Sequence, residues 1–285
     1  MRRLRDLRRR ALRRWEGERI LRNTYRDISG RDLDVRHPQG FSEKLFRRMV
    51  LMNRSRSTEF TALVDKFQVR EHVARVVGDK YLTTLHWHGV DPAKIPFREL
   101  PDRYVIKTNH ASGQTITVSG PIDEAAVVQQ LRSWLKQNYY WVSREYQYFD
   151  VHPRILVEEL LDDGRDNGPL DYRLWCFDGT PVVIQVADRR HDLMYFVDPD
   201  WNPLDLDFED FGRSAAIERP ENLAEMREVA AALARGIDFV RVDLYNVHGR
   251  IVFGEMTFTP RAGRFRFTPS SWDAILGAAW TMSGR

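Results

Sequence analysis

The sequence predicts an α+β fold: a basic helical segment, then a mostly helical stretch, then antiparallel sheet. Apolar residues recur at helical spacing up to about residue 77. From Tyr81 they fall into short β-type runs, two of them joined by Asp178-Gly179, a dipeptide that favours the tight turn of a β-hairpin. With 42% hydrophobic and 30% charged residues, the 285-residue chain has apolar content for a sizeable core.

The opening stretch MRRLRDLRRRALRRW sets Leu4, Leu7, Ala11, Leu12 and Trp15 at helical spacing among arginines, the pattern of a basic amphipathic helix. Residues 1–22 hold ten Arg against Asp6, Glu16 and Glu18, a net +7; since the whole chain is +3, the remainder is −4. Such a helix suits peripheral contact with an anionic membrane or another polyanion, and equally suits packing on the domain. The acidic remainder argues against a specific nucleic-acid site. Helices are expected at 41–53 and 57–77, the second stopping at Gly78.

Strands are expected at 81–87, 104–107 and 115–118, then a helix at 124–137. Further strands follow at 154–160, 172–177, 181–186 and 193–197. Pro220 can open a helix that Gly236 ends. Strands 239–245 and 251–256 form a last hairpin through Asn246 and His248-Gly249, and a short helix starts near Ser270. The single cysteine, Cys176, allows no intramolecular disulfide and no thiolate cluster, which fits a reducing, cytoplasmic compartment. No run of about 18 apolar residues and no secretory h-region is present, so neither a membrane span nor export is expected; any membrane contact is at the inner face.

The final hairpin, FVRVDLYNVHGRIVFGEMTFTP, is the most informative stretch. Period-two alternation sets Arg241 and Asp243 on one face of its first strand, and Glu255 and Thr257 on one face of its second. Two carboxylates held that close across a hairpin repel unless a cation separates them. Mg²⁺, a hard cation that completes its octahedron with water and phosphate, suits them; Arg241 or Arg250 would serve equally as neutralising partners. Only six Lys occur among 44 basic residues, so Lys66 and Lys107 draw notice. Lys107 ends a strand in YVIKTNHASGQ, ahead of a polar loop holding His110, Ser112 and Gly113. In RILVEELL a buried strand runs into Glu158-Glu159, and backbone groups at such an exit can read an adenine edge. Asp205-Leu206-Asp207 mimics the acidic motif of nucleotide-sugar glycosyltransferases.

In order, Asp65-Lys66, Lys107, the polar loop, Glu158-Glu159 and Arg241-x-Asp243…Glu255-x-Thr257 resemble the ATP-grasp superfamily. The chain is most similar to its TupA-like family, linked to teichuronopeptide and other cell-surface polymers. Strings that carry the likeness are FSEKL, VDKFQVREHV, VIKTNHASG, LKQNYYWVSREYQY, DYRLWCFDG, the final hairpin and SSWD, over about residues 41–280.

That resemblance implies two α+β lobes with antiparallel sheets gripping ATP. It divides the chain into an Arg-rich extension at 1–40, a helical region at 41–100, an N-lobe with a flap at 101–160 and a C-lobe at 161–285. Lys66 and Lys107 would contact ATP phosphates, with His110, Ser112 and Gly113 in the flap. Glu158, Glu159 and Leu161 would line the adenine hinge, and Asp171 would meet the ribose. Arg241 would face the transferring phosphoryl group, while Asp243 and Glu255 would hold Mg²⁺. Thr257 stands where most such ligases carry Asn, a better metal ligand. The implied chemistry is ATP-dependent amide formation between a carboxylate, on a small molecule, glycan or peptide, and an amine, through an acylphosphate. Loop arginines 189, 190, 261 and 264 are candidates for binding the substrate, Arg190 and Arg261 foremost as catalytic groups. A glycosyltransferase using Asp205 and Asp207, or a kinase on the same scaffold, is the alternative.

Overall fold

The computed structural model describes residues 2–188, 194–209 and 216–282, with side chains from Glu16 onward. Four helices open the chain: α1 (Arg2–Ser29), α2 (Phe41–Ser55), α3 (Thr61–Val64) and α4 (Val69–Val76). Strands β1 (Leu85–Gly89), β2 (Arg103–Thr108) and β3 (Thr115–Ser119) follow. Then come α5 (Glu124–Trp134), α6 (Tyr140–Ser143) and β4 (Ile155–Glu159), which together with the preceding strands form an antiparallel sheet of order β1-β4-β2-β3. Asp123 caps α5 by accepting the Ala126 N–H at 3.0 Å. That helix covers the sheet, packing Val127 and Leu131 on Ile106, Ile155 and Val157.

The second sheet is built from β5 (Asp171–Phe177), β6 (Thr180–Ala187), β7 (Met194–Val197), β9 (Phe239–Val247) and β10 (Arg250–Thr257), in the order β10-β9-β5-β6-β7 and antiparallel throughout. Asp178 and Gly179 both take positive φ (47° and 79°), as do His248 and Gly249 (51° and 83°), so each hairpin turns with the twist of its strands. A two-stranded ribbon of β8 (Asp207–Phe208) and β11 (Phe267–Thr268) completes the sheets. Helix α7 (Leu223–Ala234) lays Met226, Val229, Ala230 and Leu233 on one face of the large sheet, against Leu174, Cys176, Val240 and Val242. Helix α8 (Ser271–Ala279) closes the chain.

The opposite face of that sheet divides in two. Toward one end lie Trp175, Phe177 and Phe239, and Phe41 from α2 enters among them with ring centroids 4.9–6.0 Å away. The other end is polar and carries the candidate site. Arg48 of α2 joins the halves: its Nη1 donates to the carbonyls of Phe239 (2.8 Å) and Phe258 (2.9 Å), it pairs with Asp238, and its guanidinium lies over Trp280 at 4.4 Å. That one side chain clasps the open end of the β9–β10 hairpin.

Two expected elements differ. The helix expected at 57–77 breaks into α3 and α4, because Asp65 leaves helical geometry (ψ 109°) and its carboxylate accepts the N–H groups of Phe67 (2.8 Å) and Gln68 (3.2 Å). The strand expected to start at Tyr81 starts at Leu85, since Asp79–Tyr81 is a 3₁₀ turn that buries the Tyr81 ring and points its hydroxyl to Glu225 at 2.6 Å.

Candidate functional site

The polar end of the large sheet is assembled by strand register. Glu255 lies opposite Asp243, Thr257 opposite Arg241, Asp243 opposite Arg173, and Asp171 opposite Tyr245. Up to Phe253, which pairs with Leu244, β10 follows one register; from Glu255 it follows another, one residue displaced, with Gly254 as the extra residue. Without that bulge Glu255 would face Val242 and the apolar side under α7. With it, both carboxylates share one face. A Cβ on Gly254 would stand 3.1 Å from the Asp243 carbonyl oxygen and 3.1 Å from the Tyr245 ring, so close an approach favours glycine.

Each carboxylate has a cationic partner. Arg241 grips Asp243 in a fork, Nε to Oδ1 at 2.7 Å and Nη2 to Oδ2 at 2.5 Å, and also lies 3.7 Å from Glu255 and 3.3 Å from the Thr257 hydroxyl. Glu255 receives Lys66 Nζ at 3.4 Å and the Thr257 hydroxyl at 3.3 Å. Burial works against a charged Glu255, yet Lys66, Arg241 and Arg173 hold its carboxyl below the ordinary value. Asp243 is pushed up by burial, against the pull of Arg241 and with the repulsion of Asp171 and Glu255. Asp171 accepts Arg173 Nε at 2.8 Å through Oδ2, while its Oδ1 is buried with no hydrogen-bond partner. An orphaned acceptor of that kind fits a hydroxyl brought in by a ligand.

Lys66 reaches this face because of the break at Asp65. The Asp65 carboxylate takes Asn109 Nδ2 at 2.9 Å, the Lys66 N–H donates to the Asn109 carbonyl at 3.2 Å, and Lys66 Nζ donates to the Ala111 carbonyl at 3.2 Å. The β2–β3 loop is thereby tied to the residue that meets Glu255. Sequence reading treats this loop as a flexible flap; instead, Thr108, Asn109, His110 and Gln114 are buried, and Thr108 Oγ1 donates to Gln114 at 2.6 Å. Only Ser112 and Gly113 at its tip are exposed, with Ser112 against the Tyr139 phenol. His110 is 2% exposed, and its burial, together with nearby Lys66, lowers its pKa against the opposing pull of the Trp134 and Gln137 backbone.

On the smaller sheet Lys107 Nζ pairs with Glu158 at 2.6 Å. Arg70 of α4, which sequence reading passed over, meets the same carboxylate at 3.2 Å and donates to the Thr83 carbonyl at 2.6 Å. Its only signal is a position four residues after Lys66 on a helical stretch. Glu159 turns elsewhere: it accepts the Thr84 N–H at 2.9 Å and pairs with Arg250 of β10 at 2.7 Å, a strap from the small sheet to the large one. Leu161, past the end of β4, is partly exposed.

Other expected residues stand apart. Arg261 lies with its guanidinium over Phe208, 5.2 Å from the ring centre. Arg189 and Arg190 fall outside the described residues. Asp207 is buried in the β8–β11 ribbon and accepts the Phe208 N–H at 2.7 Å; that acidic pair is not on the sheet face of Asp243. A cavity of about 470 Å³ between α1, α2 and the β11–α8 segment, lined by Tyr25, Arg31, Ser42, Arg266 and Asp273, contains none of the site carboxylates. Sequence reading also missed Glu145, a buried carboxyl that takes the Thr259 hydroxyl just beyond Thr257, with Gln147 donating to that hydroxyl at 2.6 Å. Burial raises Glu145 to about 7. Tyr139 and Tyr148, rings 5.1 Å apart, lie beside Glu145 and Glu255.

The donor set fits Mg²⁺ in chemistry. Two carboxylates and a hydroxyl on one strand face leave coordination places for phosphate and water, which this ion prefers to an all-protein cage. No group of three His, Cys, Asp or Glu suited to a metal exists among the described residues, so protein ligands alone do not complete a shell.

No curated protein matches the chain in sequence. Among solved structures it is similar to a D-alanine–D-alanine ligase from Bacillus anthracis complexed with ATP, at 14% identity over 73% of this chain and a TM-score of 0.39. Similar too are the corresponding ligase from Helicobacter pylori (14%, 83% of this chain and 68% of that one, 0.47) and a RimK domain ATP-grasp protein from Sphaerobacter thermophilus DSM 20745 (12%, 78% and 69%, 0.44). The chain covers 55% of the first of these. A family model for TupA-like ATPgrasp proteins matches residues 43–281, from α2 to past α8, and the chain belongs to that family.

Proposed function

We propose that the protein is an ATP-dependent carboxylate–amine ligase. The observation that supports this reading above others is the pairing of Asp243 with Glu255 on one sheet face, with Lys66 and Arg241 against them. ATP would lie between the sheets, its phosphates toward Lys66, Lys107 and Arg241 and its ribose toward the unpartnered Oδ1 of Asp171. Asp243 and Glu255, with Thr257, would hold Mg²⁺; when bound, the ion neutralises phosphate charge and orients the γ-phosphoryl group.

An oxygen of the substrate carboxylate attacks the γ-phosphorus, the bond to the bridging oxygen breaks, and ADP leaves. The resulting acylphosphate has a phosphate leaving group that the carboxylate lacked. An amine nitrogen then attacks the acyl carbon, the C–O bond to phosphate breaks, and the amine gives up a proton as the amide forms. No protein nucleophile is needed. Arg241 stabilises charge on the transferring group, and the buried loop that carries His110 and Ala111 keeps water from a hydrolysable intermediate. Family membership supports a uronic-acid or peptide carboxylate of a cell-surface polymer as substrate, and ATP as co-substrate supports work in the cytoplasm.

The test is release of ADP and phosphate by the purified chain with Mg-ATP, across a matrix of amino acids and uronic acids, with Glu255→Gln as control. Release that requires one amine and one carboxylate and vanishes in Glu255→Gln is the expected result. Amine-independent release with a phosphorylated product would make it a kinase; silence with ATP, but turnover of UDP-sugars that is lost on Asp205→Ala and Asp207→Ala, would make it a glycosyltransferase.

A further inference from the structure

The polar face of the large sheet carries three stations, two residues apart along β9. Arg241 stands opposite Thr257 near the open end of the hairpin, Asp243 opposite Glu255 in the middle, and Tyr245 opposite Asp171 toward the turn. Steps of two residues keep the three β9 side chains on one face and set them about 7 Å apart. In the ligase reading the first station serves the transferring phosphoryl group and the second Mg²⁺. At the third, Asp171 has so far served alone.

Tyr245 holds an unspent group there. Its ring leans over β10 into the space that a side chain on Gly254 would fill, 3.1 Å from where that Cβ would stand. The residue is partly exposed, and no described residue hydrogen-bonds its hydroxyl. Burial, then Asp171, Glu255 and Asp243, push the phenol's pKa up, so it keeps its proton. On the neighbouring strand, Asp171 Oδ1 is a buried acceptor that no hydrogen bond reaches. One strand thus offers a donor without an acceptor, and the next an acceptor without a donor.

Hydroxyl groups answer both needs, because each O–H donates and accepts. Two hydroxyls on adjacent carbons, each bonding its partner at about 2.8 Å, can serve groups on strands about 4.8 Å apart. A nucleotide with its terminal phosphates at the first two stations brings such a diol to the third, since its ribose follows its phosphates. We propose that Tyr245 is a specificity-determining residue of the nucleotide site: its hydroxyl donates to one ribose hydroxyl while Asp171 accepts from the other, so that ribonucleotides are preferred to deoxynucleotides. This rests on the reading of the face as an ATP site.

Titration calorimetry of the full chain with Mg-ATP, Mg-2′-deoxy-ATP and Mg-3′-deoxy-ATP tests it without any turnover. The parent is expected to bind each deoxynucleotide about tenfold more weakly than ATP, or weaker still. Tyr245→Phe, which keeps the ring over Gly254, is expected to bind Mg-ATP about tenfold more weakly and to melt with the parent. It should lose its preference over one deoxynucleotide and keep its preference over the other, which Asp171 reads. Equal affinity of the parent for all three nucleotides overturns the proposal, as does unchanged Mg-ATP affinity in Tyr245→Phe; either result leaves the ligase reading standing. Absence of Mg-ATP binding by the parent overturns the proposal and that reading together.

Discussion

Glu255 faces Asp243 because β10 slips by one residue at Gly254. The bulge, more than the alternation of the strand, decides on which side of the sheet the second carboxylate stands.

Gly254→Val therefore strikes the site without touching either carboxylate. Its side chain must displace the Asp243 carbonyl or the Tyr245 ring, both 3.1 Å from the first added carbon. A displacement near 1 Å is expected to lower kcat/KM for Mg-ATP by about 100-fold. Steady-state kinetics beside a circular-dichroism melt checks this; unchanged turnover would separate the bulge from function.

Arg70 shares the Glu158 carboxylate with Lys107. Arg70→Met leaves a carboxylate that is 4% exposed with one cation where it had two. The expected loss of stability is about 2–3 kcal/mol. If Lys107 serves the nucleotide, a tighter grip by Glu158 should also raise the KM for ATP; equal melts and an equal KM would remove Arg70 from any account of the site.

Burial raises the Glu145 carboxyl from 4.5 to about 7. The folded chain thus holds a proton that the unfolded chain releases, so stability is fullest below pH 4.5 and declines as pH rises toward and past 7. The full decline is on the order of 3 kcal/mol. Glu145→Gln keeps an oxygen for the Thr259 hydroxyl and should flatten this slope, melting above the parent at pH 8 and no higher than it at pH 4.5. Parallel pH–melting curves for the two proteins would contradict the assignment.

Arg48→Met removes the clasp on the β9–β10 hairpin and strands the carbonyls of Phe239 and Phe258 with Asp238. A loss of about 3–5 kcal/mol is expected, read by urea unfolding. A loss below about 1 kcal/mol would show that the aromatic packing of Phe41 and Trp280 alone holds the hairpin end.

Alternation made Arg241, Asp243, Glu255 and Thr257 legible in the sequence, because each strand's own period determines which of its residues share a face. The bulge that joins the two strands' faces left no such mark, since Gly254 in a strand reads equally as a bend or a weak point. Likewise the apolar spacing of Phe60, Leu63, Val64 and Val73 reads as one helix. What interrupts it is Asp65, whose carboxylate takes the N–H groups of Phe67 and Gln68 and is held in that place by a bond from Asn109, forty-four residues away. Local patterns carry no trace of such a partner, and so the placement of Lys66 emerges only in three dimensions. The loop after Lys107 reads as flexible from its polar composition, yet Asn109 bonds Asp65 and Gln114 bonds Thr108, both buried partners. Arg70 and Glu145 lie in stretches whose charges look like solvated surface.

The strap from Arg250 to Glu159 sits at the turn end of β10, five residues from Glu255. Extended chain makes that interval about 17 Å, which gives the hairpin the geometry of a lever with its fulcrum at the hinge. A tilt of about 5° between the sheets about that fulcrum carries the carboxylates through about 1.5 Å, roughly the margin between a reactive alignment and an idle one. A surface ion pair thereby stands where a small change in the angle between the two sheets would be magnified at Asp243 and Glu255.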